Sequence, residues 1–216
     1  MNTERMTIIA SYPAPGLAPR GLAWDGESLW HVDEQLQRLF KLDSQDLHVI
    51  LSFPISGEPR GLEWDGRHLW LTDNCTKMIQ QIEPASGRVC NSLTIPDAGY
   101  LVGLAFHGQT LWQGHYDGRV TEIDGATQRV VNRQQVGHAI CGMTWAQETL
   151  WYVDDELPAL HLLDPSTWME GTRFGLRGDA AGLTWDGHHF WYADARRRTI
   201  QQLAFPPQHF LRTHYS

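Results

Sequence analysis

The chain contains five copies of one sequence pattern, which reads Gly-Leu-x-Trp-Asp-Gly in its most complete form and continues to Leu-Trp-x-x-Asp. The copies begin at Gly21, Gly61, Gly103, Gly142 and Gly182, so successive starts lie 39 to 42 residues apart. A repeat of this length with several short strand-like segments is typical of a β-propeller blade. Because the copies use almost all of the 216 residues, we expect one domain spanning residues 1–216.

Each copy divides into four strand-like segments separated by turns. The first is Gly-Leu-x-Trp, which ends at an Asp-Gly turn in three copies, and the second is Leu-Trp-x-x-Asp. Asp-Gly supplies the positive φ angles that tight hairpins need. The third segment alternates apolar and polar residues, as in 79–82, and the fourth follows a polar turn, as in 49–53. The pattern therefore predicts an all-β fold with four antiparallel strands in each blade.

The fifth copy lacks a convincing fourth strand, and a matching segment is found at the N-terminus. Residues 9–13 closely repeat residues 51–54. We therefore expect a strand near residues 6–13 to complete the last blade of a five-bladed propeller, which would remove exposed strand edges where the ring closes. The tail, residues 205–216, is unassigned, and 209–215 could form a competing fourth strand.

Composition narrows the classes of partner. The net charge of −8 argues against a nucleic-acid partner, because contacts to phosphate need clustered Lys and Arg. No segment approaches the roughly 18 apolar residues of a membrane-spanning helix, and the N-terminus lacks the pattern of a signal peptide. The three cysteines are odd in number and far apart, so no disulfide framework is expected. The expectation is a cytoplasmic protein with a small-molecule ligand; the oligomeric state is open.

Residues that recur in every blade are best explained by architecture. Nearly all of the ten tryptophans lie in the repeats, where packing between blades explains them better than an aromatic binding site. The position that closes the second strand reads Asp33, Asp73, His115, Asp154 and Asp194. Four carboxylates around one axis would need a cation, so a divalent metal ion in the channel is one hypothesis. The favoured alternative is that each Asp caps its own loop by accepting backbone hydrogen bonds.

The loops at one end of a propeller channel form a concave mouth, where ligands usually bind. Arg20, Arg60 and Cys141 directly precede the repeated glycine at this end, and Tyr116 follows the second strand of the third blade. Guanidinium groups suit carboxylates and phosphates, so the two arginines are candidates for holding an anionic substrate. The sequence predicts that these four residues bind the substrate.

Residues that break the repeat are the candidates for catalysis. The third position of the first strand is small in four copies and is a carboxylate only at Glu63. A buried carboxylate is costly unless it is paired, bound or protonated, so Glu63 is a candidate general base, with a salt bridge to Arg20 or Arg60 as the alternative. His115 replaces the repeated Asp and could transfer protons near neutral pH; the alternative is an ordinary hydrogen-bonded loop histidine.

The repeated phrase Gly-Leu-x-Trp-Asp-Gly-x-x-Leu-Trp-x-x-Asp resembles a broad propeller group that includes gluconolactonase-like proteins, virginiamycin B lyase and plant-type glutaminyl cyclases. The resemblance implies a propeller with a central site, and five blades in the case of the cyclases. The cyclase motifs Phe-Thr-Gln-Gly and Glu-Ser-Thr-Gly correspond here to residues 58–61 and 71–74, where only Gly61 matches. Gluconolactonases place a metal-binding Glu at the start of an inner strand, whereas Glu63 lies two residues beyond Gly61. The resemblance therefore supports an expectation about the architecture and none about catalytic residues.

Two classes of function remain. The first is a small-molecule lyase, cyclase or hydrolase, in which Glu63 or His115 supplies acid–base catalysis, Arg20 and Arg60 hold an anionic substrate, and a divalent metal ion assists. The second is a non-catalytic ligand-binding or protein-interaction propeller. The uneven set of residues at the channel mouth favours the enzyme, and the compact blades without long insertions favour the second class.

Overall fold

The computed structural model describes residues 5–96, 99–136 and 139–205, and within these ranges the chain forms twenty β-strands and no helix. Accordingly, no helix capable of spanning a membrane occurs in the described part of the chain. The strands in chain order are β1 (Ile8–Pro13), β2 (Pro19–Trp24), β3 (Leu29–Asp33), β4 (Arg38–Leu42), β5 (Val49–Pro54), β6 (Pro59–Trp64), β7 (Leu69–Asp73), β8 (Met78–Ile82), β9 (Val89–Thr94), β10 (Leu101–His107), β11 (Thr110–His115), β12 (Arg119–Asp124), β13 (Arg129–Gln135), β14 (Ile140–Ala146), β15 (Thr149–Asp154), β16 (Ala159–Leu163), β17 (Glu170–Gly175), β18 (Ala180–Trp185), β19 (Phe190–Asp194) and β20 (Thr199–Leu203).

The strands form five antiparallel sheets of four strands, which are the five blades. Blades one to four follow chain order, from β2–β5 to β14–β17, and the fifth has the order β18-β19-β20-β1. The strand β1 pairs with β20, with Tyr12 opposite Ile200. The predicted five-bladed fold and its closure by the N-terminal strand are confirmed. The competing strand at 209–215 lies outside the described residues.

The repeated glycine lies where the innermost strands of neighbouring blades approach each other. The inner strands β2, β6, β10, β14 and β18 each contact the inner strands on both sides. A Cβ atom on Gly182 would lie 2.2 Å from the Arg20 carbonyl oxygen, and one on Gly61 would lie 2.4 Å from the Val102 carbonyl oxygen. Any side chain at these positions would push neighbouring blades apart. The glycines also line the narrow part of the channel, which has no room for water.

The repeated Trp and Asp residues stabilise the blades. Trp30 is buried with Leu62 and Leu69 of the next blade, which confirms the packing interpretation for this residue. In the second blade, the Trp70 indole Nε1 donates a hydrogen bond to Asp65 Oδ2 at 2.7 Å. The same Trp–Asp bond occurs in the first and fifth blades, where the turn sequence is also Asp-Gly. The Asp therefore links the first hairpin turn to the aromatic core.

Replacing Asp65 with alanine is expected to lower the free energy of unfolding by about 2 kcal/mol, because three donors lose their acceptor. These are the Trp70 indole and the backbone N–H groups of Arg67 and His68. Urea unfolding at neutral pH measures the change. The control is Asp46→Ala, since Asp46 is largely exposed on an outer turn. Equal stabilities of the two variants would contradict the proposed link.

Candidate functional site at the channel mouth

One backbone hydrogen bond recurs in all five blades at one end of the channel. The residue after the second strand donates its N–H to the carbonyl of the residue three positions before the repeated glycine, with N···O distances of 2.9 to 3.1 Å. The pairs are Glu34–Ala18, Asn74–Glu58, Tyr116–Tyr100, Asp155–Ala139 and Ala195–Asp179. The bond fixes two positions per blade at the channel mouth, and their side chains differ from blade to blade.

Four of these ten residues, Tyr100, Tyr116, Asp155 and Asp179, line a cavity of about 590 Å³ at the mouth of the channel. This volume lies within the range of about 300–1,000 Å³ that is common for small-molecule sites. The lining consists of Arg20, Arg60, Tyr100, Val102, Tyr116, Cys141, Asp155, Asp179, Ala180 and Ala181. All four residues predicted to bind substrate are therefore brought together in one cavity. That they bind a substrate stays a prediction.

The arginines form the cationic side of the cavity, on blades one and two. Glu34 bridges them: Arg20 Nε lies 2.7 Å from Glu34 Oε2, and Arg60 Nη2 lies 2.8 Å from Glu34 Oε1. Arg60 Nη2 also lies 3.4 Å from Glu58 Oε1. Within the described residues, the two terminal nitrogens of Arg20 have no hydrogen-bond partner. Glu34 thus fixes both guanidinium groups and leaves donors available for an anion.

Two tyrosines lie beside the arginines. The Tyr100 hydroxyl donates a hydrogen bond to Glu58, and its ring centroid lies 5.4 Å from Arg60 Cζ and 5.1 Å from Lys77 Nζ. Burial and the hydrogen bond to Glu58 raise the pKa of Tyr100 to about 12, so its hydroxyl stays protonated. The Tyr116 ring contacts the Tyr100 ring edge to face, with centroids 6.2 Å apart. The tyrosines give the cavity an aromatic wall with fixed hydroxyl donors.

Asp155 and Asp179 form the acidic side of the cavity, on blades four and five. The Tyr116 hydroxyl donates to Asp155 Oδ2 at 3.0 Å, and the side chains of Asp155 and Asp179 are hydrogen-bonded to each other. Burial raises the pKa of the Asp179 carboxyl, and the charge of Asp155 raises it further, against the opposing effect of Arg20. The carboxyl of Asp179 is therefore a weaker acid than an exposed aspartate, because it lies next to a second carboxyl.

Cys141 lines the cavity as a thiol. Burial raises the pKa of Cys141, and the nearby charges of Asp155 and Asp154 add to the shift. Since the thiolate is the reactive form of cysteine, this environment makes Cys141 a poor nucleophile. Cys141 therefore contributes to the shape of the cavity and gives its wall a polarizable surface.

The fold of this chain is also that of a glutaminyl cyclase. The structure superposes on the Myxococcus xanthus glutaminyl cyclase with a TM-score of 0.80 and 14% sequence identity, over 94% of this chain and 97% of that one. A chain in the structure of a mitotic checkpoint complex matches with a TM-score of 0.57 and 17% identity, over 86% of this chain and 63% of that one. No family model and no curated protein matches the sequence. These likenesses show the shared fold.

Glu63 and His115, the predicted catalytic residues, do not belong to the cavity lining. Glu63 is 8% exposed, and its Oε1 accepts the Trp64 backbone N–H at 2.9 Å. In the described structure, the alternative ion pair with Arg20 or Arg60 is not formed, since both arginines pair with Glu34. Burial raises the pKa of Glu63 to about 8, so it is largely protonated at neutral pH.

His115 is 1% exposed, and its Nε2 lies 2.8 Å from Thr121 Oγ1 in the neighbouring strand of the same blade. This placement agrees with the alternative of a hydrogen-bonded structural histidine. Catalysis by Glu63 and His115 stays a prediction, which their positions outside the lining do not favour.

The repeated aspartates that close the second strands accept hydrogen bonds from backbone N–H groups of the mouth loops. Asp33, for example, accepts from Ala18 N and Leu36 N, both at 2.7 Å. The other three behave in the same way: Asp73, Asp154 and Asp194. The favoured alternative, loop capping, therefore describes all four. They fix the loops whose other residues line the cavity.

In the part of the chain that the structure describes, one group of three side chains has potential metal-binding atoms within 4.8 Å of one another. It consists of Asp43, Asp46 and His48, in the turn between β4 and β5. The four capping aspartates form no such group. A divalent ion held jointly by them stays a prediction that the arrangement of their oxygen atoms does not favour.

Sequence reasoning did not single out Tyr100, Asp155 and Asp179. The signal was present in the repeat alignment, because Tyr100 and Asp179 stand three positions before the repeated glycine and Asp155 directly follows the second strand. The position after the second strand differs in all five copies, and the position before the glycine repeats only as Ala18 and Ala139. What the sequence could not show is that one backbone hydrogen bond per blade places these two positions together at the mouth.

Proposed function

We propose that the protein is an enzyme that acts on a small anionic molecule at the channel mouth by acid–base chemistry. The observation that carries the proposal is the coupled carboxyl pair, Asp155 and Asp179, in the same cavity as two arginines held by Glu34. Two neighbouring carboxyl groups can take up and return protons at adjacent positions, and such pairs are common at catalytic sites.

The roles follow from the geometry of the cavity. Arg20 and Arg60 bind the anionic group of the substrate and stabilise negative charge that develops during the reaction. The carboxyl pair, in which Asp155 is oriented by the Tyr116 hydroxyl, takes a proton from the substrate and returns one to the product. A lyase, a cyclase and a hydrolase all use this sequence of proton transfers.

The glutaminyl cyclase with the same fold supports the proposal only in that a ring of this shape carries an enzyme. Its activity is not transferred to this chain, since the two sequences are 14% identical. The motifs of plant-type cyclases also match this chain only at Gly61.

The second candidate function is a non-catalytic binding propeller. It is favoured by the short mouth loops between the second and third strands of the blades, which contain three or four residues. Loops of this length provide no lid to exclude water, and many enzymes use such a lid to close the site during the reaction. Binding without turnover is the behaviour expected of this candidate.

Replacing Asp179 with asparagine is expected to lower turnover about a hundredfold or more while the affinity for a simple carboxylate changes little, because the variant loses one carboxyl of the pair and keeps the arginines. Turnover is measured by mass spectrometry on a panel of small hydroxy, keto and amino acids and lactones.

Asp46→Asn is the matched control, since it makes the same chemical change on an exposed outer turn. Panel members that bind to the wild type without being converted would support the non-catalytic candidate. Unchanged turnover in Asp179→Asn would remove the carboxyl pair from the mechanism.

A further inference from the structure

The cavity at the channel mouth has charges of opposite sign at two places on its wall. Arg20 and Arg60 belong to the inner strands of blades one and two. Asp155 and Asp179 belong to the mouth loops of blades four and five. On the side of the third blade, the wall between them is formed by uncharged side chains, among them Tyr116. On the other side, blades five and one are neighbours, and the charge of Arg20 acts on Asp179. A ligand that fills this space meets guanidinium groups at one end and carboxyl groups at the other.

Neither charged side is fully neutralised from within the protein. The terminal nitrogens of Arg20 have no hydrogen-bond partner in the described structure. On the other side, Asp155 is exposed at the rim and Asp179 is half-buried. The hydrogen bond from the Tyr116 hydroxyl uses one oxygen of Asp155. Donors on one side and acceptors on the other are available to a ligand.

We propose that the cavity binds a small zwitterion, with its anionic group at Arg20 and Arg60 and its ammonium group at Asp155 and Asp179. This inference rests on the proposed function, because it names the class of substrate that the same site takes. A simple anion would leave the carboxyl pair without a partner, and a simple cation would leave the arginines without one. A molecule with both charges satisfies both sides at once, and charge-assisted hydrogen bonds are the strong ones.

Binding of an ammonium group has a measurable consequence at the carboxyl pair. Burial and the charge of Asp155 raise the pKa of Asp179 in the free protein. A cation beside the pair lowers this pKa again, so protons leave to the solvent while the ligand keeps its own charge. Zwitterion binding is therefore expected to release protons, whereas binding of a simple anion at the arginines is not.

The test is titration calorimetry at neutral pH with the straight-chain amino acids from glycine to 6-aminohexanoate. Each is compared with the carboxylate and the amine of the same chain length. We expect one chain length to bind about ten times more tightly, or better, than both of its singly charged analogues. Its binding heat is expected to vary with the ionisation enthalpy of the buffer in the direction of proton release.

Variants test which residues bind the anionic group and which bind the ammonium group of the ligand. The double variant Asp155→Asn, Asp179→Asn is expected to lose the tenfold preference and keep the affinity for the carboxylate. Arg20→Gln is expected to weaken binding of the amino acid and of the carboxylate alike, and Asp46→Asn is expected to change neither. Thermal unfolding checks that each variant is folded. Should the double variant not fold, the comparison of the three probe classes and the buffer dependence in the wild type decide the question.

The outcomes separate this inference from the proposed function. If the carboxylate binds as tightly as every amino acid, or no probe binds, the zwitterion site is refuted, while turnover of a simple anion would leave the enzyme proposal intact. If an amino acid shows the expected preference and proton release but no panel member is converted, the zwitterion site stands and the enzyme proposal fails.

Discussion

Replacing Glu63 with glutamine is expected to raise the free energy of unfolding at pH 7 by about 3 kcal/mol. Burial raises the pKa of Glu63 from an ordinary value of 4.5 to about 8. At pH 7 the unfolded chain therefore carries an ionised Glu63 and the folded protein a protonated one, so folding must take up a proton. Each pKa unit between 4.5 and 7 costs about 1.4 kcal/mol. Glutamine is neutral in both states and has no such cost, and its Oε1 can still accept the Trp64 N–H.

The pH dependence gives this prediction its sign. The carboxyl keeps its full contribution below pH 4.5 and loses it as the pH rises towards 8, so the advantage of the glutamine variant is expected to be near zero at pH 4. It should grow with pH to a ceiling of about 5 kcal/mol above pH 8. Urea unfolding of the two proteins across this range measures it, with the exposed Glu27→Gln as control. A difference that does not vary with pH would show that Glu63 is ionised in the folded protein.

Replacing Gly182 with alanine is expected to lower the free energy of unfolding by about 3 kcal/mol, at the upper end of the usual cost of overpacking. The new Cβ would lie 2.2 Å from the Arg20 carbonyl oxygen, 2.9 Å from the Arg20 carbonyl carbon and 3.1 Å from the Gly21 Cα. All three are backbone atoms of β2, so no rotamer change can relieve the clash. Relief requires the first and fifth blades to move apart.

Gly171→Ala is the matched control for this prediction. Its new Cβ would meet only the side chain of Leu162, with Cδ2 at 2.7 Å as the nearest atom. The end of a leucine side chain can move, so the expected cost is below about 1 kcal/mol. Both variants are compared by urea unfolding at the same pH. Similar costs at the two positions would mean that the approach of the inner strands does not explain the repeated glycine.

The repeat predicted the fold well because its period, its turns and its missing last strand are all local signals. The blade count and the pairing of β1 with β20 follow from them. The repeat also placed Arg20, Arg60, Tyr116 and Cys141 at the mouth, and one cavity contains all four. Those residues lie next to the repeated glycine or to the end of the second strand, so their places in the blades could be derived from the repeat pattern.

Glu63 shows where sequence reasoning ends. Glu63 does depart from the repeat. A side chain two residues after the repeated glycine can face the channel or a neighbouring blade, however, and the repeat pattern does not distinguish these two orientations. In the structure, Glu63 is buried next to the backbone N–H of Phe106 in the third blade. The carboxyl pair was missed for the opposite reason, because Asp155 and Asp179 are 24 residues apart in the sequence and meet only when the ring is built.

The pairing of β1 with β20 also determines at which stage of synthesis and folding the cavity forms. Arg20 lies in β2, the strand after β1, whereas Asp179 comes from the last blade to be synthesised. The contact between β1 and β20, which closes the ring, joins residues that are far apart in the sequence. Such distant contacts carry the largest entropic cost and form late in folding. A nascent or truncated chain thus has the arginines without the carboxyl pair. Ligand binding at the mouth can therefore be used as an assay for closure of the ring.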